Sequence, residues 1–241
     1  MHHAVFVHGW QGDRSVWNGV IAEMGSGMRA IAVDLPGFGD ERGREGPYTI
    51  QRFSDELRAL AASLGTGPIV VVGHSMGAKV AVRLAIDAPA MVGALVLVAP
   101  VPVGLAGFSE AGQDYLRATA GDRARARAWL TRTIHAPPDG ATLDRLCAIA
   151  AKGRTEAVVE SLESWMHTDL EEAAKRVTAP ALVIAPERDQ PEKAKTRVAD
   201  LIPGARYAVL PDAAHYCILE RARETAEMIQ QWLREGGDRE E

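Results

Sequence analysis

Two hydrophobic patterns alternate along the chain. Short β-branched runs, apolar at nearly every position, occupy Ala4–Val7, Ile31–Val33, Ile69–Val72, Leu95–Val98, Leu182–Ala185 and Tyr207–Leu210. A strand that is apolar on both faces belongs in a buried parallel sheet. Longer amphipathic stretches separate these runs: Ile50–Leu64, Met76–Asp87, Ala194–Leu201 and Arg221–Leu233. In the last of them Ala222, Ala226, Ile229 and Leu233 recur at helical spacing. Strand and helix taking turns predicts an α/β fold with a doubly wound, mostly parallel sheet.

The rhythm breaks once. From about Gly104 to Val177 no run reads as a strand, and the patterning is helical and rich in Ala and Arg. The stretch is too long for a simple loop. The expectation is a helical cap, residues 104–177, inserted into a core formed by 1–103 and 178–241. The charged tail, Glu235–Glu241, contains Gly236 and Gly237 and reads as frayed.

Composition narrows the function classes. At 241 residues, 47% hydrophobic and 24% charged, one domain buries a sizeable core without disulfides or metals. A net charge of -5 offers no footprint for nucleic acid or an anionic membrane. The Arg123, Arg125, Arg127 and Arg132 cluster reads as a solvated helix face. No apolar run reaches the roughly 18 residues of a membrane span, and Met1–Val7 runs into a strand without a signal-peptide pattern. Cys147 and Cys217 have no metal-ligand or disulfide spacing and read as reduced thiols. The expectation is a cytoplasmic protein acting on a small molecule, with its oligomeric state left open.

The chemistry centres on Gly73-His74-Ser75-Met76-Gly77, placed between the Ile69–Val72 run and a helical stretch. This is G-x-S-x-G in its strand-turn-helix context. A sharp turn brings backbones together, so Gly73 and Gly77 must be small, and the turn lifts the Ser75 hydroxyl into an exposed position. It also sets the Met76 N–H at a helix N-terminus, where a developing oxyanion is favoured. A serine nucleophile needs a base, and the base an orienting acid. Asp189 and His215 each follow a predicted strand, in the order serine, acid, histidine. Glu187 and Asp212 are the alternative acids; Asp189 is preferred because it lies beyond the strand end with Pro191 stiffening the exit. The Trp10 N–H, after the His8-Gly9 turn, is the second oxyanion donor. His8 and Asp34 read as shaping their own loops, and Phe38 as lining the entrance.

Together His8-Gly9-Trp10, Asp34-Leu-Pro-Gly-Phe-Gly39, Gly73-His-Ser-Met-Gly77, Asp189 and His215 resemble the α/β-hydrolase superfamily. The resemblance covers nearly the whole chain except the cap. It implies a Ser75–His215–Asp189 triad and an oxyanion hole from Trp10 and Met76. The sequence departs from many members in opening directly on the His8-Gly9 strand, so their early antiparallel strands are expected to be absent. Within the superfamily the sequence looks like small carboxylesterases, including the methyl-ester esterase of biotin synthesis and plant-type methylesterases. His8–Trp17 also looks like the menaquinone-pathway lyase that eliminates pyruvate. That lyase usually carries Arg at the Lys79 position.

The leading expectation is therefore a serine carboxylesterase for small to medium apolar acyl or alkyl groups, needing neither metal nor organic cofactor. The alternative is a C–C lyase or pyruvate-eliminating synthase using the same three residues, with Arg117, Arg132, Arg154 and His167 as the polar groups of the cap. A non-catalytic receptor is disfavoured by the intact set. Phe38, Val101, Phe108, Trp129 and Trp165 are the pocket candidates, beside Val103, Leu105, Leu130 and Met166 as further apolar cap positions.

Overall fold

The computed structural model describes residues 3–134, 140–189 and 192–236. Pro191 and tail residues 237–241 lie outside the described residues. Six strands form one parallel sheet: β1 (His3–Val7), β2 (Arg29–Val33), β3 (Ile69–His74), β4 (Val92–Val98), β5 (Ala181–Pro186) and β6 (Arg206–Leu210). Their spatial order is β2-β1-β3-β4-β5-β6. All six expected strands are present, each longer than its apolar run by one to three residues.

The sheet is apolar on both faces because successive side chains alternate between two cores. Val5, Val7, Val71, Leu95 and Leu97 join one core, with α2 (Ile50–Leu64), α3 (Met76–Asp87) and α9 (Glu192–Leu201). Ala4, Phe6, Val72, Val96 and Val98 join the other, with α1 (Asn18–Glu23) and α11 (Ala222–Gly236). Thr49 caps α2 by accepting from the Arg52 N–H at 3.2 Å.

Between β4 and β5 the described residues contain α4 (Glu110–Arg117), α5 (Arg123–Thr133), α6 (Gly140–Lys152), α7 (Thr155–His167) and the short α8 (Glu171–Ala174). Two backbone bonds close the base of this insertion: Ala106 N–H to Met166 O and Leu170 N–H to Val103 O, each 2.9 Å. A short α10 (Cys217–Glu220) precedes α11. No helix among the described residues is long and apolar enough to cross a membrane.

The chain winds outward from β1 to β2, then returns across β1 to β3. That reversal opens a crevice at the carboxyl ends of β1 and β3, the place where open α/β sheets bind ligands. The loops after β1 and β3 carry Gly9-Trp10 and Ser75.

Candidate active site

Ser75 adopts φ 54 and ψ -118 between β3 and α3. Non-glycine residues rarely hold such a conformation, and the surrounding packing imposes it. A Cβ on Gly73 would lie 2.4 Å from Gly77 O, and one on Gly77 would lie 2.5 Å from Val7 O. Both glycines are therefore required by close backbone approach. Gly9 is close as well, though less tight, since its Cβ would sit 2.9 Å from His74 Nδ1 and 3.0 Å from Ser75 Cβ. The serine is not exposed as its turn suggested. It is 6% accessible, because the insertion roofs the crevice and leaves access through a cavity.

The His215 Nε2 lies 2.9 Å from Ser75 Oγ, and its Nδ1 lies 3.0 Å from Asp189 Oδ2. With Nδ1–H donating to the carboxylate, Nε2 is left to accept from the hydroxyl. Burial pulls the His215 pKa down, but the Asp189 charge and hydrogen bond, with the Glu220 charge, raise it above the ordinary 6.5. The alternative acids are engaged elsewhere. Glu187 accepts from the Asp212 N–H at 3.0 Å, and Asp212 pairs with Arg188 at 2.7 Å. The Arg188 N–H donates to Ala213 O at 2.9 Å, binding the Asp189 loop to the His215 loop.

His74 is buried beside this chain of bonds, with its Nε2 2.8 Å from His215 O. Burial and the neighbouring His215 drive its pKa down to about 3, so it is neutral and donates from Nε2. His8 is likewise buried with a lowered pKa. Its Nδ1–H donates to Gly9 O at 2.8 Å and its Nε2 accepts from the Leu35 N–H at 3.1 Å. It shapes its loop, as expected. Asp34 does the same, accepting from the N–H groups of Arg14 at 2.6 Å and Asp40 at 2.9 Å.

The cavity measures about 360 Å³ and opens onto Gly9, Trp10 and Ser75. Four of the five aromatic or aliphatic candidates line it: Val101, Phe108, Trp129 and Trp165. Phe38 does not. It is 1% exposed and turns into the core, with ring centroids 5.5 Å from His8 and 6.4 Å from Phe53. Trp10 also anchors the roof, its indole N–H donating to Val158 O at 2.8 Å. As first residue of α3, Met76 has no intrahelical acceptor for its N–H. Among the described residues, neither this N–H nor that of Trp10 has a backbone acceptor outside helices and strands.

Of the cap polar groups, only Arg132 lines the cavity. Arg117 pairs with Glu163 at 2.6 Å, Arg154 with Glu156 at 3.3 Å, and His167 with Glu163 at 3.3 Å. Lys79 is buried, and its Nζ donates to Gly104 O and Trp165 O, each at 2.8 Å. Arg188 and Tyr216 are lining residues that sequence reasoning missed. Their only signal was adjacency, since each neighbours a member of the Ser75–His215–Asp189 set.

A parallel sheet with a serine elbow at its switch point and a histidine-carboxylate pair above it defines a class of α/β enzymes. The model of the alpha/beta hydrolase family matches residues 4–228, and the chain belongs to that family. The pimeloyl-[acyl-carrier protein] methyl ester esterase of Nitrosomonas europaea is 29% identical over 240 residues, covering 88% of this chain and 87% of that protein. An esterase of Mycobacterium tuberculosis is 42% identical over 107 residues, a match spanning 44% of this chain and 35% of that protein. The solved enol-lactonase of Burkholderia xenovorans LB400 superposes with a TM-score of 0.87 at 24% identity, over 96% of this chain and 91% of that one. That likeness concerns the fold.

Proposed function

We propose that the protein is a serine hydrolase of carboxylic esters with small to medium apolar acyl or alkyl groups. The observation that carries the reading is the continuous bond path Ser75 Oγ–His215 Nε2 and His215 Nδ1–Asp189 Oδ2, at 2.9 and 3.0 Å, opening on an apolar-walled cavity. His215 takes the proton as Ser75 attacks the acyl carbon. Asp189 holds the histidine tautomer and stabilises the imidazolium. The N–H groups of Met76 and Trp10 receive the oxyanion, each worth about 100-fold or more in rate. His215 then protonates the departing alcohol and activates the water that releases the acyl group. The esterase names of the curated relatives support this reading.

The lyase reading draws less support. Lys79 points at two carbonyls and not into the cavity, and three of the four cap groups are paired outside it. The test is hydrolysis of p-nitrophenyl esters from acetate to dodecanoate by wild type and Ser75→Ala. Turnover that disappears in the variant supports the serine mechanism. Activity above a few per cent in Ser75→Ala rejects it, and silence on every ester from folded protein turns the assignment towards the lyase.

A further inference from the structure

The walls of the cavity are apolar, but its charged lining is lopsided. Among the described residues three charged ones line it: Arg132, Arg188 and Asp189. Asp189 is bonded to His215 at 3.0 Å. Arg188 is paired with Asp212, yet both side chains are about half exposed, at 49% and 57%, so water screens that pair and its rearrangement costs little. Arg132 lies in the last turn of α5 with its guanidinium 5.6 Å above the centre of the Tyr115 ring, a contact that positions the charge without neutralising it. Among the described residues no carboxylate lies within ion-pair distance of Arg132. Among the described residues, a ligand entering here meets two guanidinium groups and no carboxylate that is not already hydrogen-bonded.

From this arrangement we infer that the preferred substrates are esters bearing a second, ionised carboxylate, the half-esters of aliphatic dicarboxylic acids. The inference deepens the ester-hydrolase reading and rests on it for the reaction. The methylene chain lies against Trp129 and Trp165, the ester carbonyl faces Ser75, and the free carboxylate meets Arg132 with Arg188 as a second contact. A guanidinium presents its donors in a planar fork that matches a carboxylate's two oxygens. In the reaction the acyl carbon exchanges its alkoxy group for Ser75 Oγ and then for water. The products are the dicarboxylate and the alcohol, and no oxidant or reductant is involved.

The test compares monomethyl adipate with methyl hexanoate, esters of similar length differing in the terminal charge. In wild type the charged ester is expected to exceed the neutral one in kcat/KM by about tenfold. Arg132→Gln brings the ratio near one, Arg132→Glu takes it below one, and Arg132→Lys keeps part of the preference. Arg188→Gln has the smaller effect, because Asp212 already competes for that side chain. Circular dichroism checks that each variant is folded. A wild-type ratio of one or less, or a ratio unmoved by Arg132→Gln and Arg132→Glu, overturns the inference while leaving ester hydrolysis intact. If neither ester turns over, calorimetry of Ser75→Ala with both compounds separates the two failures. Tighter binding of the charged one keeps the anion contacts and rejects the hydrolase reading; equal binding or none rejects the anion contacts too.

Discussion

Lys79 Nζ lies 2.8 Å from the carbonyl oxygen of Trp165, in a residue with no solvent exposure. The same ammonium reaches Gly104 O at 2.8 Å. Gly104 lies at the start of the β4–β5 insertion and Trp165 near the end of α7, so one side chain from α3 holds both sides of its base. Its position four residues after Ser75 makes the helix that begins at the elbow also the anchor of the roof.

That anchor carries a buried charge, and stability should depend on pH accordingly. Burial pulls the Lys79 pKa from 10.5 to about 8, opposed by the charge of Asp169. Between these values the unfolded chain binds more protons than the native one, so this group makes stability rise with pH from about 8 to 10.5. The shift corresponds to about 3 kcal/mol. Cys217 and Tyr216 act in the opposite direction, because burial raises their pKa values and favours loss of stability at alkaline pH. The difference between wild type and Lys79→Met isolates the lysine. In urea unfolding, wild type should gain about 3 kcal/mol on the variant between pH 7 and 10.5. Parallel curves would show that the ammonium is not desolvated.

His215 also carries a shifted pKa, and its readout is catalytic. Burial lowers its pKa, but Asp189 and Glu220 together raise it above 6.5. A general base must be neutral, so kcat/KM should climb with a midpoint above pH 6.5. Asp189→Asn removes the charge and misorients the tautomer. Turnover should drop on the order of 10⁴-fold, with the remaining activity titrating at lower pH. A mild effect would transfer the orienting role to Glu187 or Asp212.

These elements were unequally legible before the fold was known. The strands were readable because both faces of the sheet are buried, leaving unbroken apolar runs. The start of β4 was missed because Gly93 interrupts its run, and that of β2 because its edge position lets exposed Arg29 into the ladder. The elbow was legible because Gly73 and Gly77 are demanded by contacts that leave no room for a Cβ. Phe38 was misplaced for a reason no local pattern reveals. Gly37 and Gly39 both have positive φ, and the turn they make sends the ring inward to His8 rather than towards the cavity. Lys79 was noticed only as a departure from relatives, since its partners are carbonyls 25 and 86 residues away.

The glycine requirement at the elbow is itself testable. A methyl group at position 77 would press on Val7 O at 2.5 Å and His8 O at 2.6 Å, both backbone atoms held by the sheet. Gly77→Ala should therefore cost about 3 kcal/mol or more, enough to leave little folded protein. Gly27→Ala provides the control, because nothing lies within 4 Å of its Cβ position. Equal melting temperatures for the two variants would mean that β1 and α3 are not in close backbone contact.

Trp10 joins the crevice to its roof, and its two donors are separable. Its backbone N–H faces the proposed oxyanion position, while its indole N–H spans 148 residues of sequence to Val158 O at 2.8 Å. Trp10→Phe keeps the backbone and most of the apolar wall but leaves the Val158 carbonyl buried without this donor. The loss should be about 1 kcal/mol, or ~2–4 °C in Tm for a chain of this size. Because the roof loses one of its ties to the β1 loop, KM should rise more than kcat falls. If instead KM stays unchanged while kcat drops by about 100-fold or more, the indole bond fixes the position of the Trp10 N–H, and the oxyanion site has been displaced with it.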